Sequence, residues 1–253
     1  MLFAQCTRHA WPIRSVLAAL VLFLVGAFLP GHAHFQLNLN VRIFHVEHLS
    51  DGLRVLHRVP MPYLVAAMVG PEGDDGLPEP APFTRNAMEQ DTLMHYVAGD
   101  EFAANPLGLG EIAGSGLKIT AAGRELAWRV EDVRIYAVGQ QPDFASLAEA
   151  RASFASDYTL PDPAARQYVG DTVVDVVLRY QNDGAVRRYQ LSGTLDPGLP
   201  EQEKTANLVL DYGPGGDRVL RATGLLFEPL ELSLIHISEP TRHICLSRMP
   251  SSA

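Results

Sequence analysis

The sequence predicts a mainly β protein, an antiparallel, Ig-like β-sandwich with one or two short helices, preceded by a hydrophobic leader helix. Three observations carry that prediction. Phe35, Leu37, Leu39, Val41 and Ile43 alternate with Gln36, Asn38, Asn40 and Arg42, the period of a half-buried strand. Glycine turns recur at Asp51-Gly52, Asn182-Asp183-Gly184 and Gly213-Pro214-Gly215-Gly216, each between apolar segments. The remaining apolar runs are short and turn-bounded, giving roughly six to nine strands.

The ends are set aside before the elements are taken in order. Arg8 and Arg14 precede an apolar run, Val16 to Leu29, broken by Pro30-Gly31 and followed by Ala33. Such a core is shorter than the ~20 residues of a membrane span and suits a secretory signal peptide over residues 1–33. An uncleaved anchor is the alternative. At the other end, Leu232 to Arg242 (LSLIHISEPTR) and Ser247 to Ala253 (SRMPSSA) resemble in-frame translations of the constant parts of a short-read sequencing adapter. Residues 232–253 are therefore expected to be an artefact, and the domain is expected to span residues 34–231.

Within that domain, Phe35 to Ile43 and Leu53 to Val59 are expected to form the opening hairpin. A three-residue loop would pair Leu49 with Leu53, His45 with His57 and Ile43 with Val59, setting apolar face on apolar face. Met61 to Val69 reads as a strand or a helical turn. Gly70 to Thr84, with Pro71, Pro78, Pro80 and Pro82 among acidic residues, reads as a solvated loop. A helix is expected within Ala87 to Ala104. Strands follow at Leu117 to Thr120 and Leu126 to Val138. A helix is expected over Phe144 to Phe154, with Asp143 or Ser146 as its cap. Thr172 to Tyr180 and Ala185 to Leu191 would form one hairpin, and Leu208 to Tyr212 and Arg218 to Leu226 another.

Composition narrows function. The chain has 29 acidic and 20 basic residues, for a net charge of −9. One acid and four bases lie in the two ends, so the domain carries 28 and 16, a net of −12. That balance disfavours a nucleic-acid partner and anionic lipid. Cys6 and Cys245 both lie in the ends, so a disulfide, a thiolate metal site and a cysteine nucleophile are excluded from the domain. Gly108-Leu109-Gly110 lacks the spacing of a dinucleotide loop, and Gly114-Ser115-Gly116 is not a nucleophile elbow. Asp171, Asp175, Glu201 and Glu203 read as solvent-facing charges. No catalytic constellation emerges, and no enzyme is expected.

The histidines are the candidate ligands. The domain holds five: His34, His45, His48, His57 and His95. In the expected register His45 and His57 face each other with Glu47 on the same face, a set that could take nickel, copper or zinc. The alternative is a neutral pair used as packing. His34, as a free N-terminus after cleavage, could chelate copper through its amine and ring. His45-Val46-Glu47-His48 is not a chelate on a straight strand, because positions three apart face opposite sides.

The leader, HFQLNLNVRIFHVEHLSDGLRVLHRVPMPYLVA, YVGDTVVDVVLRY, LDPGLPEQEKTANLVLDYGPGG and GLLFEPLEL together resemble the extracytoplasmic N-terminal portion of HupE/UreJ-type bacterial membrane proteins. The resemblance covers roughly Ala33 to Glu231. It implies a non-enzymatic domain on the periplasmic face of a Gram-negative inner membrane. It further implies a membrane-embedded C-terminal domain of the same protein as partner, and an association with nickel uptake or delivery.

Overall fold

A computed structural model describes residues 40–233, apart from 75, 161, 163, 165, 214 and 226. The expected leader, His34 and the alternating run up to Leu39 lie outside the described residues.

The protein is mainly β, with several sheets and a few short helices. The largest sheet has six strands in the order β11-β10-β1-β2-β8-β7. Its members are β1 (Val41–Leu49), β2 (Gly52–Pro60), β7 (Trp128–Ala137), β8 (Thr172–Gln181), β10 (Ala206–Gly213) and β11 (Gly216–Thr223). A four-stranded sheet runs β12-β9-β5-β6, from β5 (Leu117–Ala121), β6 (Arg124–Glu125), β9 (Arg188–Gly193) and β12 (Phe227–Ser233). Strands β3 (Thr84–Glu89) and β4 (Thr92–Val97) pair by themselves.

The opening hairpin forms, but in a different register. Leu49 pairs with Gly52, His45 with Leu56 and Phe44 with His57, around a Ser50-Asp51 loop. The expected register assumed one apolar and one wet face. Instead β1 and β2 lie in the middle of the sheet and are buried on both sides, so amphipathicity cannot phase them. Gly52 is required where it stands: its φ is +136°, and a Cβ there would collide with the Tyr180 carbonyl of β8.

Two further expectations about pairing are corrected. The sheet is not wholly antiparallel, since β1 pairs β10 in parallel from Val41–Ala206 to Glu47–Tyr212. The Asn182-Asp183-Gly184 turn does not close a hairpin. It carries the chain from β8, paired with β2 and β7, to β9, paired with β5 and β12 in the other sheet. The β10–β11 hairpin forms as expected.

Among the helices, Met61 to Val69 resolves as α1 (Pro62–Val65) and a 3-10 turn over Ala66–Met68. Most of the expected Ala87 to Ala104 helix is the β3–β4 hairpin, and only α2 (Gly99–Ala104) is helical. The turn between these strands uses Gln90 and Asp91, both with positive φ, where hairpins usually advertise glycine or asparagine. The glycine-rich stretch is α3 (Gly108–Ser115). Gly110 lies against Val130 and Val133 and Gly114 against the Trp128 ring, so its glycines serve close approach to β7. Helix α4 (Leu147–Ala155) is capped by Ser146, which forms a reciprocal box with Glu149. At its other end Arg134 donates to the Ser153 carbonyl at 2.6 Å and the Ser156 carbonyl at 3.0 Å, offsetting the helix's unpaired acceptors.

One core cluster takes residues from both larger sheets: Phe44, Val46, Leu53, Val55, Val174, Val176 and Leu178 from one, Ile119, Leu191, Phe227 and Leu232 from the other. Each such side chain contributes about 1.5–3 kcal/mol by leaving water. The Tyr180 hydroxyl on β8 donates to the Leu117 carbonyl of β5 at 2.9 Å. Strand β12 runs two residues past the expected domain end at Glu231, and Leu232 is buried opposite Tyr189. Leu230 and Leu232 keep the period of two, which is all that strand addition requires. Among the described residues, no helix is long and apolar enough to cross a membrane.

Candidate functional site

Strand β1 deals its side chains to two different environments. Arg42, Phe44, Val46 and His48 share the face that holds the main core, while Ile43, His45 and Glu47 lie on the other, under α4 and the loop before it. The candidate ligands are thereby separated. His45 and His57 point to opposite faces, since His57 stands opposite Phe44 and stacks on its ring, 4.0 Å between centroids. His34 lies outside the described residues.

His45 is fully buried and both its ring nitrogens are engaged. The Phe144 carbonyl, 2.9 Å from Nε2, can only accept, so Nε2 carries the proton. Nδ1 then accepts from the Tyr212 hydroxyl at 2.9 Å. Burial holds its pKa below the usual value, and the ring is neutral. His57 donates from Nδ1 to the Ile43 carbonyl at 3.0 Å; burial and the neighbouring Arg42 cation push its pKa down to about 3. Glu47 is buried, receiving a hydrogen bond from Arg151 Nε at 2.6 Å, with Arg54 Nη1 3.9 Å away. These are the contacts of packed polar side chains. Among the described residues, no group of three or more His, Cys, Asp or Glu side chains is arranged to hold a metal ion.

Two charged clusters were not legible as such in the sequence. Asp175, expected on the surface, is wholly buried in β8 and forms a two-pronged pair with Arg58, both bonds 2.7 Å. Arg58 also donates to the Pro142 carbonyl at 2.9 Å and lies 4.3 Å over the Phe144 ring. Burial raises the Asp175 pKa despite the opposing guanidinium. The available signal was position: Asp175 interrupts the apolar run VVDVV, where a strand is buried on both faces.

The second cluster joins His48, Asp211 and Arg218. His48 Nε2 lies 2.7 Å from Asp211 Oδ1 and Nδ1 lies 2.7 Å from the Val186 carbonyl. Both partners are acceptors, so both nitrogens must donate and the ring is an imidazolium. Burial alone would lower its pKa, but the Asp211 and Val186 bonds outweigh that and raise it. Arg218 from β11 holds the other Asp211 oxygen. Tyr189 stands edge-on to His48, its hydroxyl pKa raised well above normal by burial and by Asp211. Parallel pairing creates this cluster: Asp211 stands opposite Val46, one diagonal step from His48.

A surface cleft of about 400 Å³ is lined by Asp51, Arg124, Glu125, Gln181, Asn182 and Asp183, among others. Its charges are already paired: Asp51 with Arg179, Arg124 with Asp183 at 3.8 Å, and Glu125 with Lys118 at 2.7 Å. Comparison with family models, curated proteins and solved structures finds no match to this chain.

Proposed function

We propose that this chain is the exported, non-catalytic β domain of a membrane-anchored protein, and that it works as a protein-interaction module. The observation that carries this reading is the use made of its histidines. Both nitrogens of His45 and both of His48 are bonded within the fold, and His57 is bonded to Ile43 and stacked on Phe44. Side chains committed in this way act as structure, and the function left to such a domain is the surface it presents. The basic, apolar leader and the resemblance to HupE/UreJ-type proteins support export and a membrane-embedded partner domain. The core shared by the two larger sheets supports an Ig-like sandwich as the architecture.

Calorimetric titration of the purified chain with nickel, copper and zinc tests the reading. No binding tighter than the millimolar range is expected. Tighter binding that is lost in His45→Ala or His57→Ala would replace the interaction module with a metal-delivery domain. For the membrane partner, the native DNA downstream of codon 231 is expected to encode several apolar spans.

A further inference from the structure

The six-stranded sheet ends in two edges that are treated very differently. At the β7 edge a bulge interrupts the ladder between Val130 and Asp132. There the Tyr158 hydroxyl accepts from the Ile135 N–H at 2.9 Å and donates back to the Ile135 carbonyl at 3.3 Å. Bulges and capped backbone groups are how proteins block edge-to-edge pairing. The β11 edge has no bulge, and its charges, Asp217, Arg218 and Arg221, are of mixed sign. It runs eight residues, Gly216–Thr223, in unbroken register with β10 and without proline. Among the described residues, β10 is the only strand that pairs with it. It also carries Val219, 60 % exposed, the most exposed large apolar side chain described.

We propose that β11 is a homodimer interface, at which a second copy of the chain adds its own β11 antiparallel to form a continuous sheet. This rests on the interaction reading above and names the partner. The residues around Val219 select a second copy over another strand. Asp217 and Arg221 flank Val219 at equal spacing and on the same, outward face, and all three are exposed. A two-fold axis through Val219 brings Val219 onto Val219 of the second copy, with Asp217 opposite Arg221 on both sides of it. On the inner face the same axis lays each Arg218 stem against Leu220 of the other copy. Moving the axis by one residue, to Leu220, would set Val219 against Arg221 and Asp217 against Thr223, and both charge pairs would be lost. Among the described residues neither Asp217 nor Arg221 forms an ion pair within its own chain. The interface is isologous and small, so the dimer is weak and concentration dependent.

Sedimentation of the chain over a range of concentrations, with circular dichroism to show that each variant is folded, tests this. Asp217→Arg and Arg221→Asp each replace two attractive cross-strand pairs by two repulsive ones, and each is expected to weaken the dimer by roughly tenfold or more. The double variant D217R/R221D restores both pairs with reversed polarity and is expected to recover the dimer to within about threefold. A wild-type chain that stays monomeric, single variants that dimerise normally, or a double variant that fails to recover would each overturn the proposal. A monomer that binds no metal loses this interface and keeps the interaction reading; a metal bound through His45 loses that reading and leaves the sedimentation result standing.

Discussion

Over the central strands β1, β2 and β8 the six-stranded sheet is buried on both faces, and the two are held by different physics. The face toward the four-stranded sheet is apolar at its centre, built from Phe44, Val46, Val55, Val176 and Leu178, with His57 lying flat on Phe44 and with Arg42 and the His48–Asp211–Arg218 cluster toward its β10 side. The opposite face carries Arg58, Asp175, Glu47 and His45 beneath Phe144 and α4, with only a small apolar cluster of Leu56, Phe144, Ala150 and Val177. The difference teaches what α4 is for. Apolar strands need only another apolar surface, whereas buried charges need a cover that supplies acceptors at fixed positions. The cover does so through the Phe144 and Pro142 carbonyls.

The largest expected effect breaks the charged face. Arg58→Ala leaves Asp175 buried without its fork and is expected to cost about 3–5 kcal/mol in denaturant unfolding. Replacing both by leucine is expected to cost far less, because the fold then buries no charge there. If the double replacement costs as much as Arg58→Ala, the pair does more than compensate its own burial.

The next effect tests the apolar face through acid. The folded-state pKa of His57 is depressed from 6.5 to about 3, so below pH 6.5 the unfolded chain binds a proton that the folded chain refuses. Stability should fall by about 1.4 kcal/mol per pH unit from 6.5 toward 3 on this account. His57→Phe keeps a ring against Phe44 and is expected to flatten that acid limb. An unchanged pH slope would place the acid sensitivity elsewhere.

The smallest effect concerns His48, where β1 meets the β10–β11 hairpin. Its folded pKa is raised above 6.5, so its contribution is full below pH 6.5 and is lost as pH rises through the folded value. Deprotonation leaves either Asp211 Oδ1 or the Val186 carbonyl without its histidine donor, at a cost of about 1.5–3 kcal/mol. His48→Gln should remove the alkaline decline seen in thermal melts of the wild-type chain. Acid and alkaline limbs thus report on histidines that share one face of the sheet but differ in their partners.

Several elements could be read locally because their signals are local. Helix α4 was legible in Phe144 to Phe154 with Asp143 or Ser146 as alternative caps, of which the structure uses Ser146, and the β10–β11 hairpin was legible in its glycine run. The β3–β4 hairpin was not, because Gln90 and Asp91 adopt positive φ without the residues that usually signal it. The expected His45–His57 pairing was missed for a different reason. Register decides whether His45 meets His57, and register could be inferred only by assuming one wet face.

By itself, then, the sequence determined the β class, the main turns, the helix that becomes α4 and the opposite orientation of His45 and His48, all properties of residues a few positions apart. Tertiary structure alone decided that β1 is central, that it pairs β10 in parallel, that β8 and β9 belong to different sheets and that Asp175 is buried. Those outcomes depend on which distant strand covers which face. A strand buried on both sides carries no alternation from which that choice could be read.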